Sequence, residues 1–157
     1  MQWNRMAGLV VGVLAAANAL LVQGGDSDRI RTQQAKTEAP SNLEGRWIVD
    51  SGTVDGDAQD MKGDKAHFAK GKFTLDEQNG DVQRGTYKED TTKKPNHIDF
   101  TPTEGRQKGE VFKGIFIRDG NRLTLCLARP SDDRPTEASS KEGSGRILMV
   151  FDLAKPE

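Results

Sequence analysis

Residues 111–135 read VFKGIFIRDGNRLTLCLARPSDDRP, and this stretch decides the fold class. Two apolar runs flank Asp119-Gly120. Asp-Gly tolerates the positive φ that a tight two-residue turn needs, so the pair predicts a β-hairpin. The second arm alternates. Leu123, Leu125 and Leu127 fall on one face and Thr124, Cys126 and Ala128 on the other, as the period of a strand requires. The arm ends at Arg129-Pro130, and a charged loop follows as far as Arg134-Pro135.

Outward from this hairpin the same punctuation recurs. A first strand is predicted from Leu43 to about Thr53, where Gly45 precedes the large indole of Trp47. Val54 to Asp57 is turn-like, and Ala58 to Lys62 is expected as one short helical turn. Further strands are predicted at Lys65–Lys70, Lys72–Glu77, Asp81–Glu89, Asn96–Thr101 and Arg146–Leu153, with turns at Gly71 and Asn79-Gly80. Together with the hairpin these make eight strands joined by short connections. The expected fold is all-β: an eight-stranded antiparallel up-and-down barrel, closed so that no edge is exposed. In Val111–Ile117 and Ile147–Leu153 both faces are apolar. Those strands are expected to be covered outside as well as inside, by residues 129–142 or by the segment before Leu43.

The amino terminus has a different character. Arg5 precedes an apolar run from Ala7 to Val22, about 16 residues long and short of the roughly 20 that span a bilayer. Residues 1–24 are expected to be a signal peptide in helical form. Residues 25–42 are polar and expected to be a flexible tether, and residues 43–155 form the barrel domain. This organisation implies a secreted or periplasmic protein with no stable membrane span after cleavage. Loss of Arg5 leaves 22 basic and 24 acidic residues, a net charge of −2, which excludes the basic surplus that nucleic acid binding needs. The lone Cys126 cannot make an internal disulfide and is expected to be a small buried residue.

The segments Leu43-Glu44-Gly45-Arg46-Trp47, Gly85-Thr86-Tyr87-Lys88, Lys93-Lys94-Pro95 with Ile98-Asp99, Lys113-Gly114-Ile115-Phe116, Leu123–Cys126, and Ala128-Arg129-Pro130 with Arg134-Pro135 carry a resemblance. In this order they resemble a lipocalin-like (calycin-type) family of uncharacterised secreted domains abundant in planctomycete bacteria. The resemblance implies a barrel and export, and no activity. Gly45-x-Trp47 is similar to the first-strand signature of lipocalins, where the tryptophan packs at the closed end under a late-strand arginine. By that likeness Arg146 or Arg122 is expected over Trp47. Two positions depart from the family pattern: Ser131 stands where glycine is usual, and Ala138 where phenylalanine is usual.

No catalytic constellation emerges, so no enzyme and no cofactor is expected. His97 and Asp99 share a face and offer two legs of a metal site or an acid–base pair, but a third group is missing and a local role is simpler. Asp55, Asp57, Asp60 and Asp64 lack the spacing of a calcium loop and are expected to be a solvated connection. Two functional readings are carried forward. In the first, the barrel holds a small apolar molecule against Phe73, Tyr87, Ile98, Phe100, Phe116 and Leu125. In the second, the barrel is filled, and the loop uses Arg129 and Arg134 to contact an envelope or extracellular protein; alternatively Asp132 or Asp133 neutralises those arginines within the loop.

Overall fold

The computed structural model describes residues 42–156. They contain nine strands: β1 (Gly45–Val54), β2 (Asp57–Gln59), β3 (Lys65–Ala69), β4 (Lys72–Asp76), β5 (Val82–Asp90), β6 (Asn96–Pro102), β7 (Phe112–Asp119), β8 (Arg122–Ala128) and β9 (Arg146–Leu153). No helix occurs among the described residues. The signal segment and all of the tether but Asn42 lie outside them.

The eight long strands form a closed antiparallel up-and-down barrel. Sequential strands from β3 to β9 pair with their neighbours, and β1 pairs with both β3 and β9. The closing ladder runs from Trp47↔Leu153 to Val54↔Ile147, with a bulge between Val49 and Ser51. The ninth strand corrects the expected helical turn. Asp55 and Gly56 hold φ of +55° and +91°, so they form a two-residue hairpin turn that sends β2 back along β1 in the register Val54↔Asp57. The turn after β7 also sits one residue later than expected. Asp119 pairs with Arg122, and Gly120 and Asn121 are the central residues, with positive φ only at Gly120 (+57°).

Alternation directs one side of every barrel strand inward. Trp47, Val49, Phe68, Phe100, Phe116, Leu125 and Phe151 belong to one buried cluster. Edge-on ring contacts tie the strands together: Phe68 against Tyr87 at 5.5 Å and Phe73 against Phe100 at 5.0 Å between centroids. Gly85 is required here. A Cβ at that position would sit 2.4 Å from the Phe73 ring and 2.4 Å from the Thr101 carbonyl oxygen. Outside β3–β5, Lys65, His67, Lys72, Arg84 and Lys88 are exposed, so that part of the wall faces water.

The outer face of β7–β9 is covered around Ile115 and Cys126, while Val111 at 43% stays exposed. Ile115 and Cys126 point away from the barrel interior yet are 0% exposed, and Pro135 in the 129–145 loop is fully buried as well. The Cys126 thiol donates to the Ser139 carbonyl at 3.6 Å, which places the loop over β8. Beyond the covered area Ile117 is 47% exposed. Ala138 is half-buried in this loop and does not line the barrel interior.

Candidate functional site

The two ends of the barrel differ. At one end the interior is plugged. Trp47 is 0% exposed, and its Nε1 donates to the Leu43 carbonyl at 2.9 Å. The arginine over this indole is neither Arg146 nor Arg122. The guanidinium carbon of Arg118 lies 5.1 Å from the ring centroid. Its Nη1 donates to the Asn42 carbonyl at 2.7 Å and its Nε to the Gly120 carbonyl at 3.2 Å. Arg122 instead pairs with Asp50 and Asp152 on the exterior. The reason is register: β7 carries Arg118 to the end where Trp47 starts β1, whereas Arg146 begins β9 at the opposite end. Gly45 opens β1 at φ +138°, a backbone state that favours glycine, with Leu153 packed 3.4 Å from where a Cβ would be.

At the other end a cavity of about 390 Å³ enters the barrel. Phe68, Phe73, Phe100 and Phe151 lie deep in it, and Leu75, Phe112, Leu125, Leu127, Ile147 and Met149 form its walls. Apart from Thr74 in the middle of β4, its polar lining comes from strand ends and turns: Gln59, Asp60, Asp64, Glu77, Gln83 and Gln107. Met61 leans across the inner side of β1, because Gly52 leaves the space its sulfur occupies.

The six expected lining residues divide between the cavity and the packed core. Phe73, Phe100 and Leu125 line the cavity. Tyr87, Ile98 and Phe116 face inward too, but they are buried in the packed core and do not border the cavity. Among polar lining residues, Glu77 was not singled out in the sequence, and Asp64 was expected in a solvated connection. Their signal was there: each continues the inward alternation of its strand, Asp64 with Ala66 and Phe68, and Glu77 with Phe73 and Leu75. Asp64 is only 6% exposed. The expectation of a solvated acidic connection therefore fails at Asp64. It fails also at Asp55, whose Oδ1 accepts from the Gly145 N–H at 2.7 Å and whose Oδ2 meets Arg129 at 3.5 Å.

The charged loop is anchored, and not by its own acids. Arg134 Nη1 donates to the Ile98 and Gly114 carbonyls at 2.7 and 2.6 Å, and Nη2 meets Asp99 Oδ1 at 2.6 Å. Arg129 pairs with Asp55. Asp132 and Asp133 are exposed and form no ion pair among the described residues. Ser131 holds φ +74°, the left-handed state for which glycine is best suited.

His97 and Asp99 lie on the outer wall beside Arg134, around a cleft of about 160 Å³. Arg134 engages the Asp99 carboxylate there, and no group of three His, Cys, Asp or Glu residues among the described residues is arranged to hold a metal. Burial pushes the Cys126 thiol above its ordinary pKa, which keeps it protonated and unreactive.

The fold and site together define a closed eight-stranded antiparallel β-barrel with one plugged end and one apolar cup. Comparison with protein-family models, with curated proteins and with solved structures finds nothing that matches this chain.

Proposed function

We propose that this protein is an exported, non-catalytic, lipocalin-like carrier that holds a small, largely apolar molecule in the open end of its barrel. The observation that carries this reading is the cavity of about 390 Å³, walled by aromatic and aliphatic side chains and rimmed by a few polar ones. Small-molecule sites have this volume range and this composition, about 300–1,000 Å³ with sparse polar groups. The plugged end supports it as well, since a barrel closed by Trp47 and Arg118 retains what enters from the other side. The export step rests on the amino-terminal sequence, and the lipocalin likeness on the Gly45-x-Trp47 opening with an arginine over the indole.

The alternative reading, a partner-binding loop on a filled barrel, has less support. Arg134 is engaged by its own chain, which leaves Arg129, Asp132 and Asp133 as the exposed charges between Arg129 and Pro135.

The test is uptake of N-phenyl-1-naphthylamine, a neutral apolar fluorophore. The carrier reading expects saturable binding at one site, abolished by Met149→Trp, which fills the cavity from its wall while the circular dichroism spectrum stays that of a β-barrel. Absence of uptake by folded protein, or uptake that Met149→Trp leaves intact, overturns it.

A further inference from the structure

The cavity is apolar in depth, but its polar lining has one sign of charge. Asp64 and Glu77 sit one step beyond Lys65↔Asp76, the pair that ends the β3–β4 ladder, at neighbouring strand ends. Both follow the inward alternation and both line the cavity. Asp60 adds a third carboxylate, and Gln59, Gln83 and Gln107 add amides. None of the described residues lining the cavity is a lysine or arginine.

The carboxylates have hydrogen-bond donors but no counter-charge. Asp64 Oδ1 accepts from the Gln78 N–H at 3.0 Å. Glu77 accepts from the Gln83 amide at 2.5 Å and from the Asn79 amide at 3.2 Å. All of these donors are neutral. The ion pairs among the described residues include none with Asp60, Asp64 or Glu77. A carboxylate taken from water without a cation is costly, and Asp64 is only 6% exposed. A cation held beside Asp64 and Glu77 offsets that cost. The surroundings select its kind. Three metal-ligating groups do not converge there, whereas an apolar wall runs from these two carboxylates down to Phe73 and Phe100.

We propose that the carried molecule is a cationic amphiphile: a protonated amine seated between Asp64 and Glu77, with its apolar body against Phe73, Phe100 and Leu125. This rests on the carrier reading above and adds the chemical class of the ligand. It also excludes fatty acid anions, whose carboxylate would meet three others at the mouth.

Decylamine, decanol and decanoate share one chain and differ only in the head, so calorimetric titration of each into the purified protein tests the proposal. Decylamine is expected to bind at least about tenfold more tightly than decanol, as a charge-assisted contact provides, with decanoate weakest. Asp64→Asn and Glu77→Gln, separately and together, are expected to erase that preference, so that decylamine and decanol bind each variant with similar affinity. Equal affinity for amine and alcohol, tighter binding of decanoate, or a preference that survives both substitutions overturns the cationic assignment while the carrier reading stands. Tight binding of Ca²⁺ or Mg²⁺ alone at the same carboxylates overturns it in favour of a metal. Failure of all three amphiphiles to bind folded protein removes the carrier reading and this proposal with it.

Discussion

Arg134 and Asp99 stand 35 residues apart in sequence and meet at 2.6 Å, Nη2 to Oδ1, on the outside of the barrel. The other arm of the same guanidinium bridges the carbonyls of Ile98 and Gly114, which face each other across the β6–β7 ladder. One side chain therefore staples the 129–145 loop to two strands. The loop in turn covers Ile115 and Cys126. Only a planar fork with several donors can address three acceptors in this geometry.

Loss of that fork is expected to be felt throughout the covered face. Arg134→Ala should destabilise the fold by about 1.5–3 kcal/mol, the range for hydrogen bonds to charged groups at a side chain that is only 22% exposed. Arg134→Lys should recover little of it. Arg129→Ala removes an exposed pair with Asp55 and should change stability by about 1 kcal/mol or less. Urea denaturation of the three variants separates these outcomes, and equal effects at the two arginines would refute the staple. A test of partner recognition by the loop must therefore use Arg129, because Arg134→Ala alters the fold itself.

The plugged end offers a spectroscopic handle. Arg118→Ala removes the cation from the Trp47 ring and frees the Asn42 carbonyl. The expected cost is about 0.5–1 kcal/mol for the exposed cation–π contact. In a Trp3→Phe background Trp47 is the sole tryptophan, so its emission reports on this end alone. Emission should shift to the red as water reaches the indole, whereas Arg122→Ala should leave it unchanged.

Cys126 should be silent to thiol reagents in the folded protein and react only at the rate of unfolding, because it is 0% exposed beneath the loop. Its raised pKa also has a consequence for stability. The unfolded chain releases the thiol proton near the ordinary value of 9.0, while the folded chain holds it to higher pH. As pH rises through that window the unfolded state is favoured, so stability should fall relative to a Cys126→Ala variant measured alongside. Parallel curves for the two proteins would show that the thiol is not desolvated.

Two substitutions involving glycine should act in opposite directions. Gly85→Ala drives a methyl group into the Phe73 ring and the Thr101 carbonyl, and overpacking of this kind costs about 1–3 kcal/mol. Ser131→Gly relieves a left-handed backbone at φ +74° and should stabilise by up to about 1 kcal/mol. Thermal melts of the pair are sufficient to check both signs.

Much of the barrel was legible because strand alternation and turn chemistry are local. Leu123, Leu125 and Leu127 announced their inward face, and the strand at Arg146–Leu153 has the expected bounds. The short strand β2 differs from expectation because the turn-like Asp55-Gly56 is followed by a returning strand, where Ala58–Lys62 was expected as a helical turn. At the site, the period of two separated inward from outward residues, and all six expected lining residues do face inward. Alternation says nothing of height along the barrel axis. Tyr87 and Phe100 are opposite partners on β5 and β6, yet only Phe100 reaches the cavity. Which residues border the cup depends on the stagger of eight strands around the closure, and that is a property of the whole sheet.

The sequence by itself determined an antiparallel all-β chain with eight long strands, an apolar face on each and a tryptophan at the start of the first, because side-chain period and turn residues act over a few positions. Only the tertiary structure decided that β1 closes on β9, that Arg118 rather than Arg122 or Arg146 lies over Trp47, that Arg134 binds Asp99, and that Asp64 and Glu77 both line the cup. Each of these pairs residues from different strands or from a strand and a distant loop. Their meeting depends on the register around the barrel, which no local stretch of the chain encodes.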